Sequence, residues 1–301
     1  MKKTLACIDI GSNSVVLSIC ELDKLICEIF HDSYVTQLGK NLKIKKIFDK
    51  ESFDKTIDSL MTFKKALEKY SVMPSNIRVV ATEACRNAVN RQELFDQIYE
   101  ILNVHVELVS GEEEARLCLL GQKLLSKDIS EAVLVDIGGS STEVIDAKFK
   151  GVVVEPSYVK SFKLGVVKLR DCAKGEHPDL VLENEFKDLP DSIFKGKKVF
   201  FSAGSMTTLA SMMLQDQEVD LEKINGLCLE RDFIKGEIEK ILMMDDNELV
   251  TLFPQVESRI QTIRYGAMIL NYFFQFKNLD EVVFTSFGLR HGAIIQKCGV
   301  L

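Results

Sequence analysis

The stretch that decides the fold is VLVDIGGSSTEV, Val133–Val144. An apolar run leads into a carboxylate, two glycines, three hydroxyl residues and a glutamate. Near the start of the chain CIDIGSNSVVLS, Cys7–Ser18, reads almost the same. Aligned on Asp9 and Asp136, the segments lie 127 residues apart and read D-I-G-S-N-S and D-I-G-G-S-S. β-type apolar runs flank both, so each predicts a strand, a glycine turn and a returning strand. Taken singly, either is a plain hairpin turn or a loop built to hold a phosphate. A repeat at half-chain spacing predicts duplication of one fold, with two facing lobes and a cleft between them. A solenoid would repeat at a far shorter period.

Helix and strand patterns alternate around the two copies. Residues 51–69 place Phe53, Ile57, Leu60, Met61, Lys64 and Leu67 near one helical face. Residues 91–102 carry Leu94, Ile98, Ile101 and Leu102 and follow Asn90 and Glu93, spaced as a capping box. NIRVVATEA predicts a buried strand over Ile77–Ala81, and VHVELVSGEEEARLCLLG a strand, an N-cap at Ser110 and a helix ending at Gly121. In the second half VVVEPSYVKSFKLG is strand-rich, and KKVFFSAGSMTTLASMML reads strand, glycine turn, helix. RIQTIRYGAMILNYFFQF reads as one long apolar helix, and EVVFTSFGLRHGAII as strand, turn, helix. The alternation predicts an α/β protein. The lobe boundary falls near LSKDISEA, Leu125–Ala132.

Composition narrows the function. The 301 residues suffice for two domains, and 46% hydrophobic content fills real cores. A net charge of −7 argues against a general nucleic-acid binder, which needs a basic face. Eight cysteines are scattered without a C-x-x-C pair, which predicts reduced, buried thiols in a cytoplasmic protein rather than disulfides or a zinc site. MKKTLA imitates a signal peptide, but Asp9 ends the apolar run too early, and no run is long enough to span a membrane. The four histidines lack metal-ligand spacing and receive no catalytic role.

Several motifs carry candidate chemistry. Glycine lets a backbone approach a ligand closely, so D-I-G-G-S-S-T can turn amides and hydroxyls toward one phosphate. Asp136 would hold a metal ion or orient a water, and Glu143, on the returning strand, would converge on the same ion. In SGEEEARL, Glu112 and Arg116 are spaced for a helical pair, and Glu114, beside Ala115, is the glutamate left to face a cleft. Arg86, in ATEACRNAVN, is either a surface arginine or a phosphate clamp. SAGSMTTLA sets Gly204, Ser205, Thr207 and Thr208 at a strand-to-helix turn, where they either cap the helix or bind an anion. Lys40, Lys43, Lys45 and Lys46, and separately Lys160, Lys163, Lys168 and Arg170, are solvated charge or a track for a long polyanion.

Seven motifs in order, IDIGSNSV, ATEACRNAVN, VSGEEEARL, VDIGGSSTEV, KLGVVKLR, SAGSMTTLAS and FGLRHGA, resemble those of the exopolyphosphatase/guanosine pentaphosphate phosphohydrolase family. The resemblance implies the actin-like, sugar-kinase-like ATPase fold with two RNase H-like lobes. It implies a first lobe over residues 1–125 plus a C-terminal helix at about 287–301, and a second over 126–286. Glu114 becomes the general base, Asp136 a helper for water or Mg²⁺, and Arg86 a phosphate clamp. Gly11, Ser12, Asn13 and Ser14, then Gly138, Gly139, Ser140, Ser141 and Thr142, and then Gly204, Ser205 and Thr207 become phosphate contacts. Asp9, Asp136 and Glu143 become the carboxylates around a divalent cation. The implied reaction is Mg²⁺-assisted attack of water on a terminal phosphoryl group of inorganic polyphosphate or on the 5′ γ-phosphate of guanosine pentaphosphate, which makes polyphosphate or guanosine penta/tetraphosphate the implied partner. No membrane or specific nucleic acid is expected as a partner, and a homodimer is allowed.

The chain departs from the family pattern at Val16, usually arginine, and at Ser140, usually glycine. It departs again at Ile260–Gln261 after Arg259, usually Arg-Ala-Asp, and at His291, commonly glutamate. Arg264 or a nearby lysine is the expected substitute for the missing arginine. Val16 and Ser140 leave one rival, a regulator that binds polyphosphate or an alarmone without cleaving it, and the paired phosphate loops leave a second, an ATP-dependent kinase of the same fold.

Overall fold

Leu5–Ile8 and Ala132–Val135 have no exposed surface, which is why each D-I-G copy is preceded by an unbroken apolar run rather than an alternating one. Each run is the middle strand of a sheet. The computed structural model describes residues 3–23, 26–125, 129–150 and 153–299. Met1, Lys2, Val152 and residues 126–128 of the expected lobe junction lie outside the described residues, as does the side chain of Lys43. The chain divides into two units, Met1–Leu124 with Leu289–Leu301, and Leu125–Gly288.

The first unit holds β1 (Lys3–Ile10), β2 (Ser14–Leu22), β3 (Ile26–Val35), β4 (Ile77–Ala81) and β5 (Val106–Leu108), in the order β3-β2-β1-β4-β5. The second holds β6 (Glu131–Ile137), β7 (Thr142–Lys150), β8 (Val153–Phe162), β9 (Lys198–Ser202), β10 (Leu227–Glu230) and β11 (Glu281–Phe284), in the order β10-β11-β9-β6-β7-β8. β1, β2 and β3 pair antiparallel, and β4 and β5 continue the sheet in parallel. β6, β7, β8, β9 and β11 repeat that arrangement, with β10 added as an antiparallel edge. Even the irregularity is copied: a bulge falls at Ile19/Cys20 in one unit and at Asp146/Ala147 in the other. The protein is therefore the duplicated α/β, actin-like fold with an RNase H-like sheet in each unit. The edge strands β3 and β8 show the alternating exposure of half-buried strands.

In the first unit the C-terminal helix, Leu289–Cys298, packs backbone to backbone on the helix Gly111–Gly121. A Cβ at Gly292 would lie 1.8 Å from the Leu117 carbonyl oxygen, so only glycine permits the approach. Arg78 donates to the Ala293 carbonyl at 2.9 Å and to Glu107, tying that helix to β4 and β5. In the second unit Phe273, on the helix Ile263–Phe276, meets Phe186 and Phe201 edge to face, and Phe162 packs tilted on Phe186.

Five local expectations change. The helix Lys50–Lys69 buries Ser52, Thr56, Ser59, Leu60, Phe63 and Leu67, while Met61 is exposed. Its three inward hydroxyls donate to Gln37, Ser52 and Lys55 carbonyls, so polar residues occupy a face that apolar counting misses. Asn90 forms no capping box, because its side chain accepts from the Phe48 amide at 2.9 Å instead. Arg116 pairs with Glu113 rather than Glu112. The long apolar helix begins at Ile263, after a 3₁₀ turn over Pro254–Arg259. The cysteines are free thiols, but Cys27 and Cys228 are exposed. Among the described residues no helix is long and apolar enough to cross a membrane.

Candidate active site: two glycine loops and their carboxylates

In the second unit the loop after β6 is closed by the Gly138 amide donating to the Ser141 carbonyl at 2.9 Å. The first turn of the helix Val166–Cys172 then takes hold of it: Val166 donates to the Gly138 carbonyl at 3.0 Å and Val167 to that of Gly139 at 2.9 Å. A trans peptide points its C=O and N–H in opposite directions, so fixing these carbonyls turns the Gly139 and Ser140 amides away from the helix. Successive amides aimed one way form an anion-binding concavity. Gly165 makes this possible, since a Cβ there would stand 2.3 Å from the Gly138 oxygen and 2.6 Å from the Gly139 carbonyl carbon. Thr142 does not join the loop surface. It is fully buried and donates its hydroxyl to the Leu164 carbonyl at 2.6 Å.

Two carboxylates sit at the base of this loop. Asp136 and Glu143 are direct cross-strand partners on β6 and β7, a register that sets Cβ atoms about 5 Å apart on one sheet face. Serines orient both: Ser202 donates to Asp136 Oδ1 at 2.9 Å, and Ser161 to Glu143 Oε1 at 2.8 Å. Burial, and then the Asp136 charge, push the Glu143 carboxyl up to about 7. A divalent cation fits that donor set, being bound by one or two carboxylates with other oxygens completing its shell. Of the expected Asp9, Asp136 and Glu143, the last two are brought together on neighbouring strands of the second unit, while Asp9 belongs to the first.

The Gly204 turn opens the helix Gly204–Met213. Ala203, before it, has φ 83° and ψ 165°, a region that glycine alone adopts freely. Thr207 and Thr208 are buried and donate to the Gly204 carbonyl, so their hydroxyls are committed to the helix itself, and Ser205 is buried too. Against the turn lies the Arg259 guanidinium, 2.3 Å from where a Gly204 Cβ would be. Burial acts against its charge, and among the described residues no carboxylate pairs with it. An arginine and a helix N-terminus on one spot are a match for an anion.

The first unit repeats the loop with a different clamp. The Gly11 amide donates to the Ser14 carbonyl at 3.0 Å. The Ser12 carbonyl accepts from Gly39 at 2.7 Å, and that of Asn13 from Thr36 and Gln37 at 3.0 and 2.9 Å. By the same peptide geometry the Asn13 and Ser14 amides face away from the clamp. Asp9 pairs across the ladder with Val16, the position that Glu143 fills in the second unit. Arg86 and Glu114, separate in sequence, are joined: Arg86 Nη1 donates to Glu114 Oε2 at 3.1 Å and to the Val109 carbonyl at 2.7 Å. The two side chains are 30% and 27% exposed. Ser110 caps the glutamate-rich helix by accepting from Glu113.

The departures from the motif pattern also find places. Arg264 is engaged by Asp246 and the Met244 carbonyl. Gln261 accepts from Arg170 at 3.4 Å. His291 is fully buried, with Nε2 3.2 Å from Glu28 Oε1. Burial alone would raise the Glu28 carboxyl, but hydrogen bonds from His291 and His31 hold it far below the usual range. Sequence reasoning missed Ser202, Ser161, Gly165 and Arg259 as parts of the site. Ser202 and Gly165 lie within the quoted motifs SAGSMTTLAS and KLGVVKLR, and Arg259 is the surviving arginine of an expected motif, whereas Ser161 carried no signal.

The family model of the Ppx/GppA phosphatase family matches residues 15–299. The chain is 27% identical to a bifunctional 3-dehydroquinate synthase/phosphatase of Fusobacterium nucleatum, over 97% of this chain and 46% of that protein. It thus spans about half the length of that curated relative. A Ppx/GppA family member of Aquifex aeolicus superposes with a TM-score of 0.83 at 26% identity, covering 99% of this chain and 98% of that one. An exopolyphosphatase of Cytophaga hutchinsonii superposes at 0.82 with 22% identity over 99% of each chain, a likeness of fold alone. With the model matched over nearly its whole length, the chain belongs to the Ppx/GppA phosphatase family.

Proposed function

We propose that the protein releases the terminal phosphate of inorganic polyphosphate, with the 5′ γ-phosphate of guanosine pentaphosphate as its second substrate. The observation that carries this reading is the Asp136–Glu143 pair under a loop whose carbonyls are tied down and whose amides face outward. In this reading the Gly139 and Ser140 amides, and Arg259 at the Gly204 turn, hold phosphate oxygens. In the first unit the Asn13 and Ser14 amides do the same. Asp136 and Glu143 would hold a divalent cation, whose chemistry is to neutralise charge on the phosphoryl oxygens. Glu114 accepts the proton of the attacking water, and the pairing with Arg86 fixes its orientation. The water oxygen bonds to the terminal phosphorus, the bridging P–O bond breaks, and its electrons leave on the shortened chain. Positioning and charge do most of this work.

The experiment is phosphate release with Mg²⁺ by wild type and Glu114→Gln, with circular dichroism to verify the fold. Loss of turnover by about 100-fold or more in a folded variant supports the base. Retained turnover removes Glu114 from the role. Val16 opposite Asp9 favours a second reading, a regulator that binds the same substrates without cleaving them. Tight binding with no phosphate release by wild type would establish it.

A further inference from the structure

The segment after β3, TQLGKNLKIKKIFD, has four lysines and no acid until Asp49, in a chain whose net charge is −7. It is not a loose loop. Leu38, Leu42 and Phe48 are buried in the first unit's core, while Lys40, Lys45 and Lys46 stay exposed. Gln37, Asn41 and Lys46 all adopt left-handed backbone, so the path of the segment is defined residue by residue.

Its two ends are tied to the candidate site. Gly39 donates to the Ser12 carbonyl at 2.7 Å, and a Cβ at Gly39 would meet Ser12 at 3.0 Å, so Lys40 follows directly on the clamp of the first glycine loop. At the other end the Lys46 carbonyl accepts from Val89 at 2.8 Å, and Phe48 donates to Asn90. Val89 and Asn90 follow shortly after Arg86 in the chain. The lysines are therefore held beside both phosphate-handling parts of the first unit. Of the exposed three, Lys45 is paired, with Asp49. Among the described residues no carboxylate lies within ion-pair distance of Lys40 or Lys46, although the Lys40 charge reaches Asp49 and Glu51. Like charges crowded at fixed positions repel, and a polyanion relieves that repulsion better than scattered small ions.

We infer that the Lys40–Lys46 loop is a second anion subsite, which takes phosphates further along a linear polyphosphate than the one being released. The inference rests on the proposed substrate class, and makes this loop the part of the unit that distinguishes long chains from short ones. An anionic membrane surface is the rival occupant, using the same lysines with exposed Ile44, Ile47 and Val89.

The test is direct binding of end-labelled long-chain polyphosphate, with tripolyphosphate as competitor, by the full chain and by Lys40→Gln/Lys46→Asn. Asparagine suits the left-handed backbone at position 46. Long-chain affinity should fall roughly fivefold, with a shallower salt dependence, while tripolyphosphate affinity changes less than about twofold. The Lys40→Arg/Lys46→Arg variant should restore long-chain binding. Equal loss for both lengths, no loss, or preferential binding to phosphatidylserine vesicles that Ile44→Ser abolishes would each overturn the inference. If wild type binds long chains with this lysine dependence but releases no phosphate, the hydrolase reading fails and the subsite stands.

Discussion

Replacing Gly165 with alanine should damage the second unit's phosphate loop more than any comparable surface change. The new Cβ would stand 2.3, 2.6 and 2.7 Å from the Gly138 oxygen, the Gly139 carbonyl carbon and its oxygen. All three are backbone atoms, so no side chain can swing aside. Restoring ordinary contact requires the loop and the start of the helix Val166–Cys172 to part by about 1 Å. That opening breaks the Val166–Gly138 and Val167–Gly139 hydrogen bonds. Two such bonds contribute about 1 kcal/mol each, and forced overpacking costs about 1–3 kcal/mol more. The sum, about 3–5 kcal/mol, lowers the melting temperature by about 10 °C in a unit of this size. A displacement of about 1 Å in a positioning loop should also cost roughly 100-fold in turnover. Scanning calorimetry and phosphate release measure the two effects, with Gly175→Ala as the control because nothing lies within 4 Å of a Cβ there. A Gly165→Ala protein with wild-type melting and turnover would refute the clamp.

Three further outcomes follow from single residues. Ala203→Gly removes a non-glycine residue from φ 83° and should stabilise the protein by about 1 kcal/mol in urea titration, after the entropy cost of glycine. The Glu143 carboxyl stands near 7 in the fold and 4.5 as its ordinary value, so the folded state holds the proton more tightly. Its stabilising effect is complete below pH about 4.5 and is lost as pH rises through 7. Without divalent cation, Glu143→Gln should therefore stabilise the protein by about 3 kcal/mol at pH 8 and leave it unchanged at pH 4, as read by thermal melts across that range. His291→Ala removes one of the two histidines that hold the buried Glu28 carboxylate and should cost about 1.5–3 kcal/mol in urea titration. Adding Glu28→Gln to it should recover most of that loss.

What the sequence made legible was local. Two D-I-G turns between apolar runs announce two hairpins, because strand burial and turn chemistry are written in neighbouring residues. The matched strand orders follow from that duplication. Side-chain direction was not legible. Thr142, Thr207 and Thr208 have the residue type of phosphate ligands, yet the sheet pleat and the helix turn point their hydroxyls inward. Partnerships across long separations were also hidden. Arg86 reaches Glu114 only because β4 and β5 lie side by side, and Gly165 matters only because its helix docks on a loop closed 24 residues earlier, at Ser141. His291 looked like a lost glutamate. Its burial against Glu28 shows an acid–base pair that spans the C-terminal helix and β3.

The most direct test of the proposed hydrolysis is to supply long-chain polyphosphate and Mg²⁺ in ¹⁸O-enriched water and analyse the released orthophosphate by mass spectrometry. Attack by water predicts one ¹⁸O atom in each released phosphate, and loss of that product in Glu114→Gln. Released phosphate without label, label-free transfer to an added acceptor, or no release from polyphosphate or guanosine pentaphosphate would contradict it.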